Sequence, residues 1–184
     1  MIRVSEVPQD SLLGRYVASG AYADCYVTEL PATVSHAQFV EAFYSTALFK
    51  LERLLLGLFL SRPSTHAQVK QLAEGQLSSF AAWSVESRAE NQLVLAAGRT
   101  RSWLMVTAGT SALHASTQLF FGSAVVPLRS SAGARGSMGL VFTALLGFHK
   151  LYSRALLLSA RARLSRQIKQ TARSSGSDTQ GSLR

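Results

Sequence analysis

The chain has 184 residues, of which 47% are hydrophobic, and a mean hydropathy of +0.15. These values fit one globular domain and exclude a disordered chain or a protein of many membrane spans. The net charge of +9 is concentrated, because residues 91–177 contain eleven Lys and Arg but no Asp or Glu. We therefore expect a cytoplasmic domain with an electropositive second half, and the single cysteine, Cys25, excludes an internal disulfide.

The first half of the chain is predicted to form a strand and two helices. Residues 20–30 are rich in aromatic and β-branched side chains and are followed by a proline, which is typical of a strand. Two capping-box patterns follow, in which a hydroxyl residue precedes a glutamine by three positions: Ser35 with Gln38, and Thr65 with Gln68. They predict a helix from residue 35 to about 61, and a shorter one that ends at Gly75.

The second half is predicted to form an antiparallel meander and a closing helix. Runs of strand-forming residues alternate with short turns over residues 79–87, 92–98, 102–108 and 112–126. Residues 129–137 are rich in Ser, Gly and Ala and are expected to be a loop. A long helix is predicted over residues 138–170. We expect one α+β domain over residues 1–171 and a disordered tail over 172–184, which has little apolar surface.

This order of elements resembles the START-like superfamily, also called SRPBCC or polyketide cyclase-like. The segment Gly-Phe-His-Lys-Leu-Tyr at 147–152 is similar to the closing helix of an uncharacterised bacterial group within it, whose members carry a Phe-His-Arg/Lys step there. The resemblance implies a helix-grip fold, in which an antiparallel sheet wraps around a long C-terminal helix. It also implies an apolar cavity between that helix and the sheet.

Five residues are candidates for lining such a cavity and binding a small apolar or amphipathic ligand. Two are aromatic residues of the predicted strands, and the others lie on the last strand and the closing helix: Trp83, Trp103, His114, Phe142 and His149. Each has a plainer interpretation, because buried tryptophans usually belong to the core. The plainer interpretation of His114 is an exposed position on a strand. That of His149 is a hydrogen-bonded packing position on the closing helix.

Catalytic signatures are missing from the sequence. It contains no Gly-x-Ser-x-Gly turn and no phosphate-binding loop, and no motif points to a cofactor or a metal. Cys25 is expected to be structural. For carboxylate-based chemistry, the only acids that we expect near the centre of the fold are Glu41, Glu52 and Glu86. A third hypothesis is an enzyme of the cyclase or dehydratase kind that uses His114 or His149.

The closing helix carries a basic run that supports a different function. Four of its residues are candidates for binding an anionic surface: Arg161, Arg163, Arg166 and Lys169. The alternative to a ligand-binding domain is thus an interaction protein that docks an anionic membrane or partner through this helix. A solvated helix end explains the same run, since cations favour a helix C-terminus. Nucleic acid is not favoured, because no aromatic residues interleave with the charges.

Overall fold

The computed structural model describes residues 1–47, 49, 65–80, 82–110, 115–126 and 139–181. Within these ranges the chain forms seven strands and four helices. In chain order they are β1 (Arg3–Val4), α1 (Gly14–Ala18), β2 (Tyr22–Leu30), α2 (His36–Tyr44), α3 (His66–Ala73), β3 (Ser79–Phe80), β4 (Trp83–Ala89), β5 (Gln92–Ala97), β6 (Thr100–Ala108), β7 (Thr117–Val125) and α4 (Gly139–Gly181). The predicted loop at 129–137 lies outside the described residues.

The strands form one antiparallel sheet in the order β1-β2-β7-β6-β5-β4-β3. The meander predicted from the short turns is confirmed, because β4 to β7 are successive neighbours in the sheet. At the β5–β6 turn, Gly98 has a φ of +54°, a conformation that L side chains rarely adopt. With the helices that pack against this sheet, the α+β class is confirmed.

Both predicted helix starts are present. The amide of Gln38 donates to Ser35 Oγ at 3.2 Å, and the amide of Ser35 donates to Gln38 Oε1 at 2.8 Å. Thr65 and Gln68 make the same reciprocal pair at the start of α3. Because each box satisfies two amides that the first helical turn leaves without partners, these short patterns determine where α2 and α3 begin.

The helix α2 ends sooner than the sequence predicts. It stops at Tyr44, not near residue 61, and most of the remaining predicted stretch lies outside the described residues. Ser45 caps the helix, and the hydroxyl of Thr46 donates to the Phe43 carbonyl at 3.0 Å. The Thr46 hydroxyl thus competes for a backbone carbonyl of the last turn, whereas the Ser45 hydroxyl lies 3.2 Å from His66 Nδ1. Hydrophobic periodicity alone does not reveal this competition.

The closing helix α4 begins where predicted but continues to Gly181, past residue 172, where composition predicts the start of a disordered tail. The hydroxyls of Thr171 and Ser174 donate to the carbonyls of Gln167 and Gln170, one turn back, at 3.1 and 3.3 Å. These bonds are compatible with continued helix. The side chains of residues 171–174 are exposed. Among the described helices, none combines the length and hydrophobicity that crossing a bilayer requires.

Apolar side chains pack on both faces of the sheet. The larger core lies between the sheet and the helices α2, α3 and α4, and we call this side of the sheet the helix-facing side. A smaller core on the other side is covered by the N-terminal segment that carries Leu13, and includes Cys25, Val27, Val94, Trp103, Met105, Phe120 and Ala124. The strands β2, β5, β6 and β7 therefore contribute residues to both cores, with neighbouring residues facing opposite sides.

Candidate ligand site between the sheet and the closing helix

A row of polar side chains crosses three neighbouring strands on the helix-facing side. Asp24 on β2 pairs in register with Ser123 on β7, which pairs with Ser102 on β6. All three face the helices, because the next residue but one on each strand belongs to the helix-facing core. The Ser102 hydroxyl lies 3.4 Å from the hydroxyl of Tyr44, which extends from α2. Otherwise apolar strands thus bring a polar strip under the helices.

Asp24 is the centre of this strip, and its side chain is only 9% exposed. Ser123 donates to its Oδ1 at 2.6 Å, Tyr26 donates to its Oδ2 at 3.2 Å, and His149 Nε2 lies 3.4 Å from Oδ2. Burial by itself raises the pKa of Asp24. The bonds from His149, Ser123 and Tyr26, together with the charge of His149, outweigh burial and lower that pKa below its usual value. Asp24 is therefore ionised at neutral pH.

His149 reaches this carboxylate from α4. Its Nε2 lies 2.7 Å from Ser123 Oγ and 3.5 Å from Ser153 Oγ. Because Ser123 gives its one proton to Asp24, the contact between Ser123 and His149 requires a proton on Nε2. The side chain of His149 is 38% exposed. His149 thus links a buried carboxylate to the edge of the site.

These three groups do not form a nucleophilic triad. In such a triad the carboxylate holds one imidazole nitrogen and the serine gives its proton to the other. Here Asp24 and Ser123 both approach Nε2 of His149, and Ser123 also donates to Asp24. The result is a closed hydrogen-bonded triangle that stabilises the Ser123 hydroxyl proton instead of withdrawing it. The arrangement is suited to holding a polar group, not to activating Ser123.

The groups beside Asp24 keep their protons. Burial and the nearby Asp24 charge raise the pKa of Tyr26, so its hydroxyl remains a hydrogen-bond donor. Burial and the same charge raise the pKa of Cys25 to about 12. The Cys25 thiol also faces the other core and is 1% exposed. A thiolate nucleophile at neutral pH is therefore excluded, in agreement with the structural role that the sequence predicts.

The same register leads from the polar strip to an apolar wall. Ser102 pairs with Leu95 on β5, and Leu95 pairs with Val85 on β4. Trp83, two residues before Val85, is 8% exposed, and its ring lies 5.3 Å from that of Phe49. This one row of paired residues on the helix-facing side is therefore polar on β2, β7 and β6 and apolar on β5 and β4.

The structure does not bring the five predicted ligand-binding residues together. Trp103 lies in the other core, and its Nε1 donates to Gln92 Oε1 at 2.9 Å. It faces away because its neighbour Leu104 faces the helices. His114 lies outside the described residues, and Phe142 lies on α4 in the stretch whose side chains are not described. Trp83 and His149 remain on the helix-facing side.

Sequence reasoning missed Asp24 and considered three other acids. Glu86 belongs to an ion cluster with Arg15 and Arg101, and Glu41 lies 3.8 Å from a histidine of α3. Glu52 lies outside the described residues. The signal for Asp24 was available, because it alternates with Tyr22 and Tyr26 on one face of β2, whereas Cys25 and Val27 lie on the other face. A lone carboxylate in such a position is buried with partners.

The predicted basic surface is divided by the fold. Arg161 Nε donates to the Glu29 carbonyl at 3.0 Å, so this side chain is held against the sheet. Arg163 is half-buried, and its Nε has no hydrogen-bond partner among the described residues. Arg166 and Lys169 are exposed. Only these two residues of the predicted four therefore form a solvent-facing basic surface.

Comparison of the chain with family models, curated protein sequences and solved structures gives no match. The described part of the chain holds no cluster of three or more His, Cys, Asp or Glu side chains that could bind a metal ion.

Proposed function

We propose that the chain is a START-like, helix-grip domain that binds a small amphipathic molecule between α4 and the sheet. The polar end of the ligand lies at Asp24 and His149, and its apolar part extends towards Trp83. The order of elements supports this proposal. Two helices separate β2 from the meander, β7 returns beside β2, and a long helix then packs across the helix-facing side.

The observation that carries the proposal is the ionised Asp24 carboxylate beneath α4. Replacing a buried charged network by apolar residues of similar volume is often neutral or stabilising, so such a network contributes little as a fold anchor. A carboxylate offers about four lone-pair sites, and Ser123, Tyr26 and His149 occupy three of them. One acceptor site is left for a ligand, beside a half-exposed imidazole.

These groups also define the chemistry of the ligand. Asp24 accepts hydrogen bonds, so it favours a hydroxyl, amide or amine and repels a carboxylate or phosphate. The wall around Leu95, Val85 and Trp83 favours an apolar body. A neutral or cationic molecule with one hydrogen-bond donor and an aromatic or aliphatic body fits both parts.

The proposal is tested with N-phenyl-1-naphthylamine, a neutral fluorescent probe that has one amine donor and an apolar body. We expect saturable binding with a Kd in the micromolar range, about −8 kcal/mol. Asp24→Asn and His149→Ala should weaken binding at the polar end, and Trp83→Leu should weaken it at the apolar end. Each variant is first checked for a cooperative unfolding transition, so that loss of binding is not confused with loss of fold.

Trp103→Leu provides the matched control, since it makes the same substitution on the opposite side of the sheet. Its probe affinity should equal that of the parent protein. The proposal fails if the folded protein shows no saturable binding. It also fails if Trp103→Leu weakens binding as much as Trp83→Leu, because binding would then not distinguish the two sides of the sheet.

A further inference from the structure

The outer side of α4 carries large apolar side chains in contact with solvent. Phe148, Leu151 and Leu158 are 67%, 68% and 53% exposed, respectively. Their spacings of three and seven residues align them along one side of the helix, and we call them the apolar stripe. Leu156, Leu157 and other residues of the opposite side are buried against the sheet and α2. A helix with apolar groups on both sides has a second surface to cover.

A basic stripe continues the same side of the helix towards its C-terminus. It consists of Arg166, Lys169 and Arg173, which are all exposed. Arg166 and Lys169 follow Phe148 and Leu151 by five helical turns, so the two stripes share one side. Lys150, also exposed, lies to one side of the apolar stripe, whereas the Arg154 guanidinium lies 5.5 Å from the centre of the Tyr26 ring. The first acidic residue of α4 is Asp178, so no carboxylate on this helix neutralises the stripe before its last turns.

We propose that this side of α4 docks on an anionic membrane surface. The apolar stripe enters the boundary between headgroups and acyl chains, and the basic stripe lies on the lipid phosphates. Surface-bound helices combine these two features, because apolar insertion and attraction to anionic lipids add together. The positive charge of the basic stripe thus favours an anionic membrane as the binding partner. The exposed apolar side chains determine which side of the helix faces that membrane.

A second copy of the chain fits this surface less well. Stable protein interfaces bury about 20–30 residues on each partner, whereas the apolar stripe has three. Parallel pairing of two α4 helices would also place the two basic stripes against each other. The proposal does not depend on the ligand site, because the residues that it uses lie on the side of α4 opposite His149 and Ser153.

The test is cosedimentation of the full chain with vesicles of phosphatidylcholine, alone or with about 30% phosphatidylserine, at low and physiological salt. We expect binding to the anionic vesicles only, and weaker binding as salt shortens the Debye length to about 8 Å. Arg166→Gln with Lys169→Gln should weaken that binding by roughly thirtyfold, about fivefold for each charge. Arg3→Gln with Lys70→Gln removes two exposed charges elsewhere and should have much less effect.

Phe148→Ser with Leu151→Ser tests the apolar stripe and should abolish the binding that survives at physiological salt. The control, Val4→Ser with Val17→Ser, removes two exposed apolar side chains elsewhere and should leave binding unchanged. Equal binding to neutral and anionic vesicles, or equal losses in the variants and their controls, would overturn the proposal. So would a dimer in sedimentation velocity that Phe148→Ser with Leu151→Ser converts to a monomer, since a second copy would then cover the stripe. Probe binding without vesicles separates this failure from failure of the ligand site.

Discussion

His149 Nε2 lies 2.7 Å from Ser123 Oγ, and this contact joins α4 to β7 beside the buried Asp24 carboxylate. The two residues are 26 positions apart in the chain, so no local signal connects them. The contact makes Asp24 the partner of a helix as well as of a strand. A substitution at Asp24 should therefore affect the contact between α4 and the sheet.

Asp24→Asn is expected to destabilise the fold by about 1–3 kcal/mol. The amide cannot accept from all of Ser123, Tyr26 and His149, so at least one buried donor loses its partner. Urea unfolding monitored by tryptophan fluorescence measures the change. Asp10→Asn is the matched control, because Asp10 is exposed, and should change stability by less than about 0.5 kcal/mol. Equal stability of the two variants would mean that no buried donor loses its partner when Asp24 is replaced by asparagine.

His36 should make the stability of the fold decrease in mild acid. Burial and the positive charge of Arg88 lower the pKa of His36 to about 4, against an opposing backbone hydrogen bond at Leu104. The unfolded chain has a histidine pKa near 6.5, so below that pH it takes up a proton that the folded state does not. The stabilisation is therefore complete above about pH 6.5 and is lost as the pH falls towards 4, by up to about 3 kcal/mol.

Unfolding free energies of the parent and of His36→Gln, measured between pH 4 and 7, test this prediction. The variant should show a shallower decrease than the parent between pH 6.5 and 4. His66→Gln, at a histidine whose side chain is 58% exposed, is the matched control. If His36→Gln and the parent give parallel profiles, protonation of His36 is not what weakens the fold in acid.

Arg161 should contribute to stability, whereas Arg166 should not. Arg161 donates a partly buried bond to the Glu29 carbonyl, and its loss by substitution with glutamine should cost about 1 kcal/mol. Arg166→Gln, on the exposed side of the same helix, should change stability by less than about 0.5 kcal/mol. The midpoints of urea unfolding measure both. If Arg166→Gln lost more stability than Arg161→Gln, the assignment of the anchoring contact to Arg161 would be wrong.

Much of the fold could be predicted because its signals are local. The capping boxes at Ser35 and Thr65 determine where α2 and α3 begin, since the groups that they satisfy lie within one turn. The short turns between β4 and β5 and between β5 and β6 likewise determine that these strands are antiparallel neighbours. The end of α2 at Tyr44 was missed, because competition from the Thr46 hydroxyl for the Phe43 carbonyl leaves the hydrophobic period unchanged.

The site could be predicted only in part. His149 was a candidate from its place in the closing helix, but its partners Asp24 and Ser123 come from strands that meet only across the sheet. Trp103 was wrongly grouped with Trp83, because alternation tells which residues of one strand share a face but not which face meets the helices. That choice depends on Leu104 and its neighbours packing under α2 and α4.

The sequence by itself determined the α+β class, the meander, the two helix starts and the acid-free second half, because periodicity, capping and charge are properties of neighbouring residues. Tertiary structure decided which of these residues work together. It brought Asp24, Ser123 and His149 within hydrogen-bond reach, moved Trp103 to the other core, and held Arg161 to the sheet while leaving Arg166 in solvent. Such contacts depend on which side of α4 packs on the sheet. That orientation is determined by contacts between side chains that are far apart in the chain.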